Sequence, residues 1–586
     1  MKPEKNGTES PCLRCSLQVS ADLHRVGSPG DPLNRAVESA ISQALAELME
    51  TLGISGKPAV EIKAIDGPLP DERFVRLAIE DQVLRYPDET VQLVYCWSTG
   101  SIFRVDVTLA DILAWLTGQF ELEETTDLVA GFFSQLTIQV FKAQPSVLLG
   151  ATPFEAYRAS LPIPATGEFS QWPPDPAWLR PILAKTLSLG ISIADKQAVT
   201  DALAQNLDKP WSDACEELIE RLRPNAIEIH VTREYLRELT TFDADNRTGF
   251  FAFLRDGLFQ ELGVVYPDFR LVLDPRLGPR QFLFTINHLP TMPLVGLSPD
   301  ECLVNENPER LTERDISLRP AGNPATALQN SLTSLDNKAD LEKRGYTTWD
   351  QMGYVILCLA AILRRSGHCL IHRGFTDGLL HLASTGFPEL VKTAQSVFSV
   401  ERITTVLRNL AMEELPIRNS RLILEILLDF HLRESSAAGR PHPDTGVERG
   451  KENASDLRVL TEFVRAGMKR QVSGKVSRET NTMPVYLLDE HFEELLIPQI
   501  ASGEDREFNF RLTTGKEDQV LEAIRREIAT LPPTAQVPSI LTVAHLRWPL
   551  RATIAKELPR MQVVAFDELT PSLNVFPVAR ISALVE

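Results

Sequence analysis

Val400-Glu401-Arg402-Ile403-Thr404-Thr405-Val406-Leu407-Arg408-Asn409-Leu410-Ala411-Met412-Glu413-Glu414-Leu415-Pro416-Ile417-Arg418-Asn419, followed by Ser420-Arg421-Leu422-Ile423-Leu424-Glu425-Ile426-Leu427, reads as two amphipathic helices joined by a Pro-Ile-Arg-Asn turn. Ile403, Val406, Leu407 and Leu410 fall at helical spacing, and Pro416 blocks continuation of that helix. Asn419 or Ser420 caps the next one, whose apolar face is Ile423, Ile426 and Leu427. Arg418 in the turn has two readings, a docking residue or a guanidinium that clamps local carbonyls and Glu425. Spacing alone specifies a helical subdomain.

The surrounding chain has 586 residues, too many for one hydrophobic core, and its length suggests about three to five compact units. Hydrophobic residues make up 43% and charged residues 24%, the balance of a globular protein. A net charge of -19 and a pI near 5.2 argue against nucleic-acid binding and favour basic partners. Seven scattered cysteines, an odd number, read as reduced thiols rather than a disulfide framework. The longest apolar run, Val355 to Leu363, stops at Arg364-Arg365, so no membrane span is expected. The N-terminus lacks an apolar signal region, which makes the cytoplasm the default compartment.

Composition divides the chain. Residues 1–30, rich in Pro, Gly, Ser and charge, read as a disordered tail. Leu161 to Pro176, Pro290 to about Asp340, and Arg433 to about Ser455 are dense in Pro and Gly and read as linkers or loop-rich insertions. Between them, Ala226–Val231, Phe269–Leu273 and Gln281–Ile286 read as strands of a small α/β unit, with a helix from about Arg247 to Leu262 that Gly263 stops. Residues 345–433 are helical throughout, including Met352 to Arg365 and Thr376 to Leu382. After a linker at 434–455, helices at Asp456–Lys469, Asp518–Thr530 and Leu550–Leu558 alternate with strands at Val485–Leu488, Ile540–Val543 and Gln562–Phe566. That alternation implies parallel pairing in a C-terminal α/β subdomain.

The N-terminal region, 31–224, carries patterns that recur later in the chain. Glu50-Thr51-Leu52-Gly53-Ile54 before Ala59-Val60-Glu61-Ile62 parallels Glu261-Leu262-Gly263-Val264 before Phe269-Arg270-Leu271-Val272. Val129 to Phe133 leading to Val147–Gly150 parallels Met352 to Ile356 leading to Cys369–His372. Ser188 to Asp195, then Val199 and Leu203, parallels Glu413 to Asn419, then Ile423 and Leu427. Three matches in one order suggest a degenerate tandem copy, the alternative being chance recurrence of helix-loop-strand patterns.

No phosphate loop, dinucleotide glycine fingerprint or His-Glu-x-x-His pair is present. Cys12-x-x-Cys15 lacks the second pair that a structural zinc needs, and His368 with His372 lacks a carboxylate. Glu121, Glu123, Glu124 and Asp127 read most simply as a solvated face, or as a steering patch for basic partners. No catalytic residue, cofactor or metal is expected.

The opening stretch resembles the signature of the FHIPEP family, the export-gate proteins of flagellar and virulence type III secretion. Gly345-Tyr346-Thr347-Thr348-Trp349-Asp350 is similar to the family's entry to its helical subdomain, and Arg364 to Arg373 to the family stretch just beyond it. Ile540 to Val543, Leu550-Arg551 and Val563 to Leu569 resemble its closing stretch. The resemblance covers about 225 to 586. It implies an α/β subdomain at 225–344 interrupted by an inserted one, a helical subdomain at 345–433 and a C-terminal α/β subdomain at 456–586. It also implies a non-enzymatic cytoplasmic docking or scaffold protein, peripheral to an inner-membrane export apparatus, which oligomerises and binds export chaperones, secretion substrates or export-apparatus subunits. Leu303, Val304 and Leu311 of the inserted segment, with Arg418, are the candidate partner-binding residues. Two departures stand against full inheritance. The membrane-spanning region of gate proteins is replaced here by the proposed second copy, so the chain is not expected to be the channel. The inserted segment, about Thr291 to Asp340, matches poorly. The alternatives are an interaction protein of the same fold outside secretion and an enzyme with a cryptic site.

Overall fold

The computed structural model describes residues 13–582 except 66–68, 70–72, 81, 166–171, 225, 242–248, 312–315, 438–453, 479, 491, 493–513 and 532–536. Two compact units account for the chain: Met1–Leu207 with Arg221–Pro224 and Gln281–Val295, and Asp208–Glu220 with Asn225–Arg280 and Gly296–Glu586.

The first unit opens with strand β1 (Leu13–Ser20) inside a four-stranded sheet. β2 (Pro58–Ile65) is parallel to it, β3 (Val75–Ile79) antiparallel, and β4 (Gln82–Leu84) pairs with β3. This corrects the reading of 1–30 as a tail for residues 13–30, residues 1–12 lying outside the described ones. Leu13, Cys15, Leu17 and Val19 alternate along β1 and are at most 2% exposed, a strand period hidden by the Pro- and Gly-rich flanks. Cys12 lies outside the described residues. Helix Pro32–Leu52 starts at Asp31, whose Oδ1 accepts from Leu33 N at 2.8 Å. It stops at Gly53, with φ of 81°, where Gly53 N and Ile54 N donate to Glu50 O and Met49 O in a Schellman-type stop. Its buried face, Val37, Ile41, Leu45, Leu48 and Leu52, packs on helix Thr126–Ala143. Glu121, Glu124 and Asp127 are exposed at the start of that second helix. Helices Ala151–Ala159, Pro176–Ser188 and Lys196–Ala204 complete this region.

Next in the chain, β5 (Ala226–Val231) and β6 (Asp268–Leu273) pair in parallel within the second unit, joined through helices Arg233–Thr241 and Gly249–Leu262. β7 (Gln281–Ile286) belongs to the first unit and pairs antiparallel with β8 (Leu289–Pro290) and β9 (Leu294–Val295). The Pro- and Asn-rich insertion forms a small sheet rather than loops. Its strands are β10 (Glu301–Val304), β11 (Arg319–Gly322), β12 (Gln329–Ser334) and β13 (Thr348–Trp349), in the order β11-β12-β10-β13 with antiparallel pairs.

Five helices come after this sheet: Gln351–Ser366, Arg373–Gly386, Pro388–Val397, Val400–Met412 and Ser420–Ala437. The stretch Gln351–Leu370, 20 residues with a mean hydropathy of 1.2, is long and apolar enough to cross a bilayer by length and composition alone. Half of it is buried in the protein, and Arg364 within it pairs with Glu261 at 2.8 Å, as in a core helix.

The C-terminal subdomain begins with helices Ala454–Gly467 and Lys469–Ser477. Its sheet consists of β14 (Thr482–Leu488), β15 (Ser539–Thr542), β16 (Val563–Ala565) and β17 (Asn574–Ile581), all paired in parallel in the order β16-β15-β14-β17. Tyr486, Phe492, Val520, Ile524, Ile540, Leu546 and Leu550 form its core. The helix expected from Leu550 runs instead from Ala544 to Ile554, with Pro549 inside it rather than ahead of it.

Candidate functional site: a charge hub at the helix turn

The turn after helix Val400–Met412 is built by its backbone. Glu414 N donates to Ala411 O (2.9 Å) and Leu415 N to Leu410 O (3.0 Å), while Glu414 itself adopts a left-handed φ of 53°. Asn419 then caps helix Ser420–Ala437, its Oδ1 accepting from Leu422 N at 3.1 Å. Ile417 N reaches Leu262 O (2.8 Å), and Gly263, with φ of 79°, lies against the backbone of Arg418. A Cβ at Gly263 would stand 2.4 Å from Arg418 N, so this position requires glycine both for its conformation and for its space.

This backbone holds Glu413 at the centre of a buried ion cluster. Arg547 from helix Ala544–Ile554 donates Nη1 and Nη2 to the two Glu413 oxygens at 2.8 and 3.0 Å. Arg465 from helix Ala454–Gly467 donates Nη1 to Glu413 at 2.9 Å and Nε to Glu568 at 2.5 Å. Arg547 also reaches Glu462, and Lys475 donates to the Glu413 carbonyl. Arg551 spends its guanidinium on the carbonyls of Pro559 (2.9 Å) and Met561 (3.0 Å). Burial opposes ionisation of Glu413, yet Arg465 and Arg547 beside it hold its carboxyl well below the usual carboxylate range. Burial raises Glu568 despite the same two arginines. Burial also opposes the charge of Arg547, and Glu413 and Glu462 more than offset it.

A second ion pair lies one turn upstream on the same helix. Arg408 and Glu216, 1% and 2% exposed, are paired through both guanidinium nitrogens. Arg408 Nε also donates to Ile371 O at 3.0 Å. Glu216 comes from helix Trp211–Leu222, whose Glu217 pairs with Arg373 and whose Glu220 accepts from Gly374 N (2.9 Å) at a helix N-terminus. Removing one partner of a buried pair leaves an uncompensated charge, whereas replacing the whole pair with apolar residues is often neutral. The hub thus links the turn to Arg465 and Arg547 of the C-terminal subdomain more than it adds net stability.

Of the four residues singled out by sequence, three are core. Leu303 and Val304 are fully buried in β10, and Leu311 is 4% exposed, packed with Val304 and Leu341. They can act on a partner only by shaping the surface above them. Arg418 is exposed, and the Glu425 that a local clamp would use is bonded to Arg421 at 2.7 Å. His368 and His372 are not brought together as a ligand pair. His372 contacts Glu220 at 2.6 Å, and His368 contacts the Arg365 carbonyl and Cys369. Among the described residues no group of three His, Cys, Asp or Glu side chains is placed to hold a metal ion. The six described cysteines are free thiols, five of them buried, and burial pushes Cys15 up to about 12.

Sequence reasoning missed the hub because Glu413 is 52 residues from Arg465 and 134 from Arg547. The available signal was Arg408, an arginine at a position flanked by Val406, Leu407 and Leu410 on the buried face. It also missed Arg560, which joins the C-terminal subdomain to the inserted one. Its Nη1 donates to Ala325 O at 3.0 Å, in a loop shaped by Asn323 Oδ1 accepting from Ala325 N and by the left-handed Ala327. Leu328 beside that loop is 42% exposed.

Comparison with known proteins gives this architecture a family. Low calcium response locus protein D of Yersinia pestis is 24% identical over 331 residues, 56% of this chain and 44% of the relative. Hypersensitivity response secretion protein HrcV of Ralstonia nicotianae is 26% identical over 329 residues, again 44% of its length. The match therefore spans less than half of these relatives. The solved CdsV protein of Chlamydia pneumoniae covers 61% of this chain and 97% of its own, with 23% identity and a TM-score of 0.51, which shows a shared fold. CdsV has also been solved as a complex with CdsO, at 24% identity and the same TM-score. The FHIPEP family model matches residues 176–574, a span that contains the signature turn, both buried ion clusters and the inserted sheet, and the chain belongs to the FHIPEP family of type III secretion export-gate proteins.

Proposed function

We propose that this protein is a non-enzymatic docking component of a type III export apparatus, taking export chaperones, secretion substrates or another subunit of the apparatus on its second compact unit. The observation that carries the reading is the family match over 176–574, together with the likeness to CdsV, a protein solved in complex with a partner. The signature turn is spent internally, since Glu413 and its arginines are buried, so docking falls to the exposed residues around it. Arg418, exposed in the turn where its backbone lies against Gly263, is a residue that a partner can touch. The loop Asn323–Leu328, bridged by Arg560, is the second surface, with Leu328 as its apolar contact and the core residues Leu303, Val304 and Leu311 as its support. The whole-chain charge of -19 draws in basic partners at long range, whereas Arg418 itself presents a cation for a carboxylate or carbonyl of the docked segment.

The test is the mass of the purified full chain by light scattering, alone and mixed with the cytosolic export components of its own organism. A stable complex that weakens in Arg418→Glu or Leu328→Asp supports docking. A chain that captures none of them keeps the fold and family and sinks the docking role, leaving an interaction protein outside secretion as the better reading.

A further inference from the structure

We infer that residues 13–204 are a second, diverged copy of the module at 226–437, and that the turn closing the penultimate helix of each copy is a docking surface for a donor-bearing element from further along the chain. The observations are independent of the docking proposed above.

The backbones correspond at a series of points in the same chain order. β1 and β2 pair in parallel as β5 and β6 do, with Pro58 of β2 matching Asp268 of β6 at the head of each register. The helix before each second strand stops at a left-handed glycine, Gly53 (φ 81°) and Gly263 (φ 79°). Each copy has an antiparallel strand pair, Ile79 opposite Gln82 and Ile286 opposite Leu289, with a left-handed residue just after the first strand, Glu80 (φ 51°) and Asn287 (φ 55°). At the turn, the main backbone hydrogen bonds have counterparts in the other copy. Gly190 N donates to Leu187 O as Glu414 N does to Ala411 O, and Ile191 N to Thr186 O as Leu415 N does to Leu410 O. Asp195 caps Ala198 as Asn419 caps Leu422. Ile193 N donates to Leu52 O (2.9 Å) and Ile417 N to Leu262 O (2.8 Å). A Cβ at Gly53 would stand 2.3 Å from Ala194 N, and one at Gly263 stands 2.4 Å from Arg418 N. Chance recurrence of helix-loop-strand patterns does not reproduce tertiary contacts in matching positions.

The side chains diverge where the backbone does not. Arg408, Glu413 and Arg418 correspond to Ala184, Leu189 and Ala194, so the first copy has no charge hub at this turn. The same carbonyl is nevertheless engaged in both. Leu189 O accepts from the Asn287 carboxamide at 2.6 Å, and Glu413 O accepts from Lys475. His288 completes the first contact, its N donating to Gly190 O at 2.9 Å and its Nδ1 accepting from Ser192 N at 3.1 Å. A helix C-terminus leaves carbonyls without internal partners and carries partial negative charge, which suits a carboxamide or an ammonium donor. One copy seats a neutral β-hairpin tip there and the other a cationic helix.

Hydrogen exchange read by mass spectrometry on the full chain tests this with Asn287→Asp and Lys475→Met. N287D replaces the donor with a charge that the turn carbonyls repel, and exchange in Thr186–Ala194 is expected to rise about tenfold while Leu410–Arg418 stays unchanged. K475M is expected to do the reverse. If N287D proves misfolded by circular dichroism, Asn287→Ala removes the donor without the charge. Unchanged exchange at the adjacent turn in either variant, or a rise at both turns from one variant, would overturn the assignment.

Discussion

The turn Leu189–Ala194 and the turn Glu413–Arg418 have matching backbone hydrogen bonds and each a left-handed glycine beneath it, yet one is held by an amide and an imidazole and the other by buried ion pairs. The difference separates what the backbone dictates from what side chains choose. A helix stop, a left-handed residue and a cap suffice to form the turn. The ion cluster at Glu413 comes from the C-terminal subdomain, through Arg465 and Arg547, and ties that subdomain to the helical one. Leu189 receives no such arginines, because the element seated there is a hairpin.

The comparison breaks most sharply at its charged end. Arg547→Ala leaves buried Glu413 with Arg465 alone and takes the guanidinium from half-buried Glu462, and is expected to cost about 3–5 kcal/mol in urea unfolding. Leu189→Ala, at the position matching Glu413, removes buried apolar volume only, for about 2–4 kcal/mol. Equal costs would mean that the arginines contribute no more than packing. Gly53→Ala and Gly263→Ala each force a left-handed residue and a close approach to backbone, and each is expected to lose about 1–3 kcal/mol. The two losses should be alike, and a tolerant Gly53 would undo the equivalence. Asp195→Ala and Asn419→Ala are expected to cost about 1 kcal/mol apiece through the lost cap. Arg418→Ala should leave the unfolding free energy in urea within about 0.5 kcal/mol of the parent and weaken partner capture alone.

Much of the architecture is legible in the residues themselves. Ala226–Val231 and Gln281–Ile286 are strands at the residues their alternation marks, and Pro416 and Asn419 bound the turn as their chemistry requires. The equivalence of Gly53 with Gly263 is readable because a left-handed helix stop leaves a glycine in the sequence. β1 is not, since its four alternating residues are outweighed by the composition around them. The hub is not, because local periodicity carries no information on which arginine meets a glutamate across 134 residues. Leu303, Val304 and Leu311 are candidates whose burial the sequence did not reveal. Apolar residues in a Pro-rich insertion look like surface anchors until the strands that bury them are known.

The two turns also differ in their response to acid, and this gives the most direct test. Burial lowers His288 below its ordinary value of 6.5, and Ser192 N–H needs its Nδ1 unprotonated. Stability from a depressed histidine is present above 6.5 and is lost as pH falls through the folded value. Glu413, burdened by burial but held down by Arg465 and Arg547, contributes stability that is present above the ordinary carboxylate value of 4.5 and persists to lower pH. Hydrogen exchange of the full chain, corrected for intrinsic rates, would be followed at both turns from neutral pH downward. The expected result is loss of protection at Thr186–Ala194 first, below 6.5, with Leu410–Arg418 still protected at 4.5. Simultaneous loss at both turns, or earlier loss at the charged one, would contradict the picture of one backbone plan held by two chemistries.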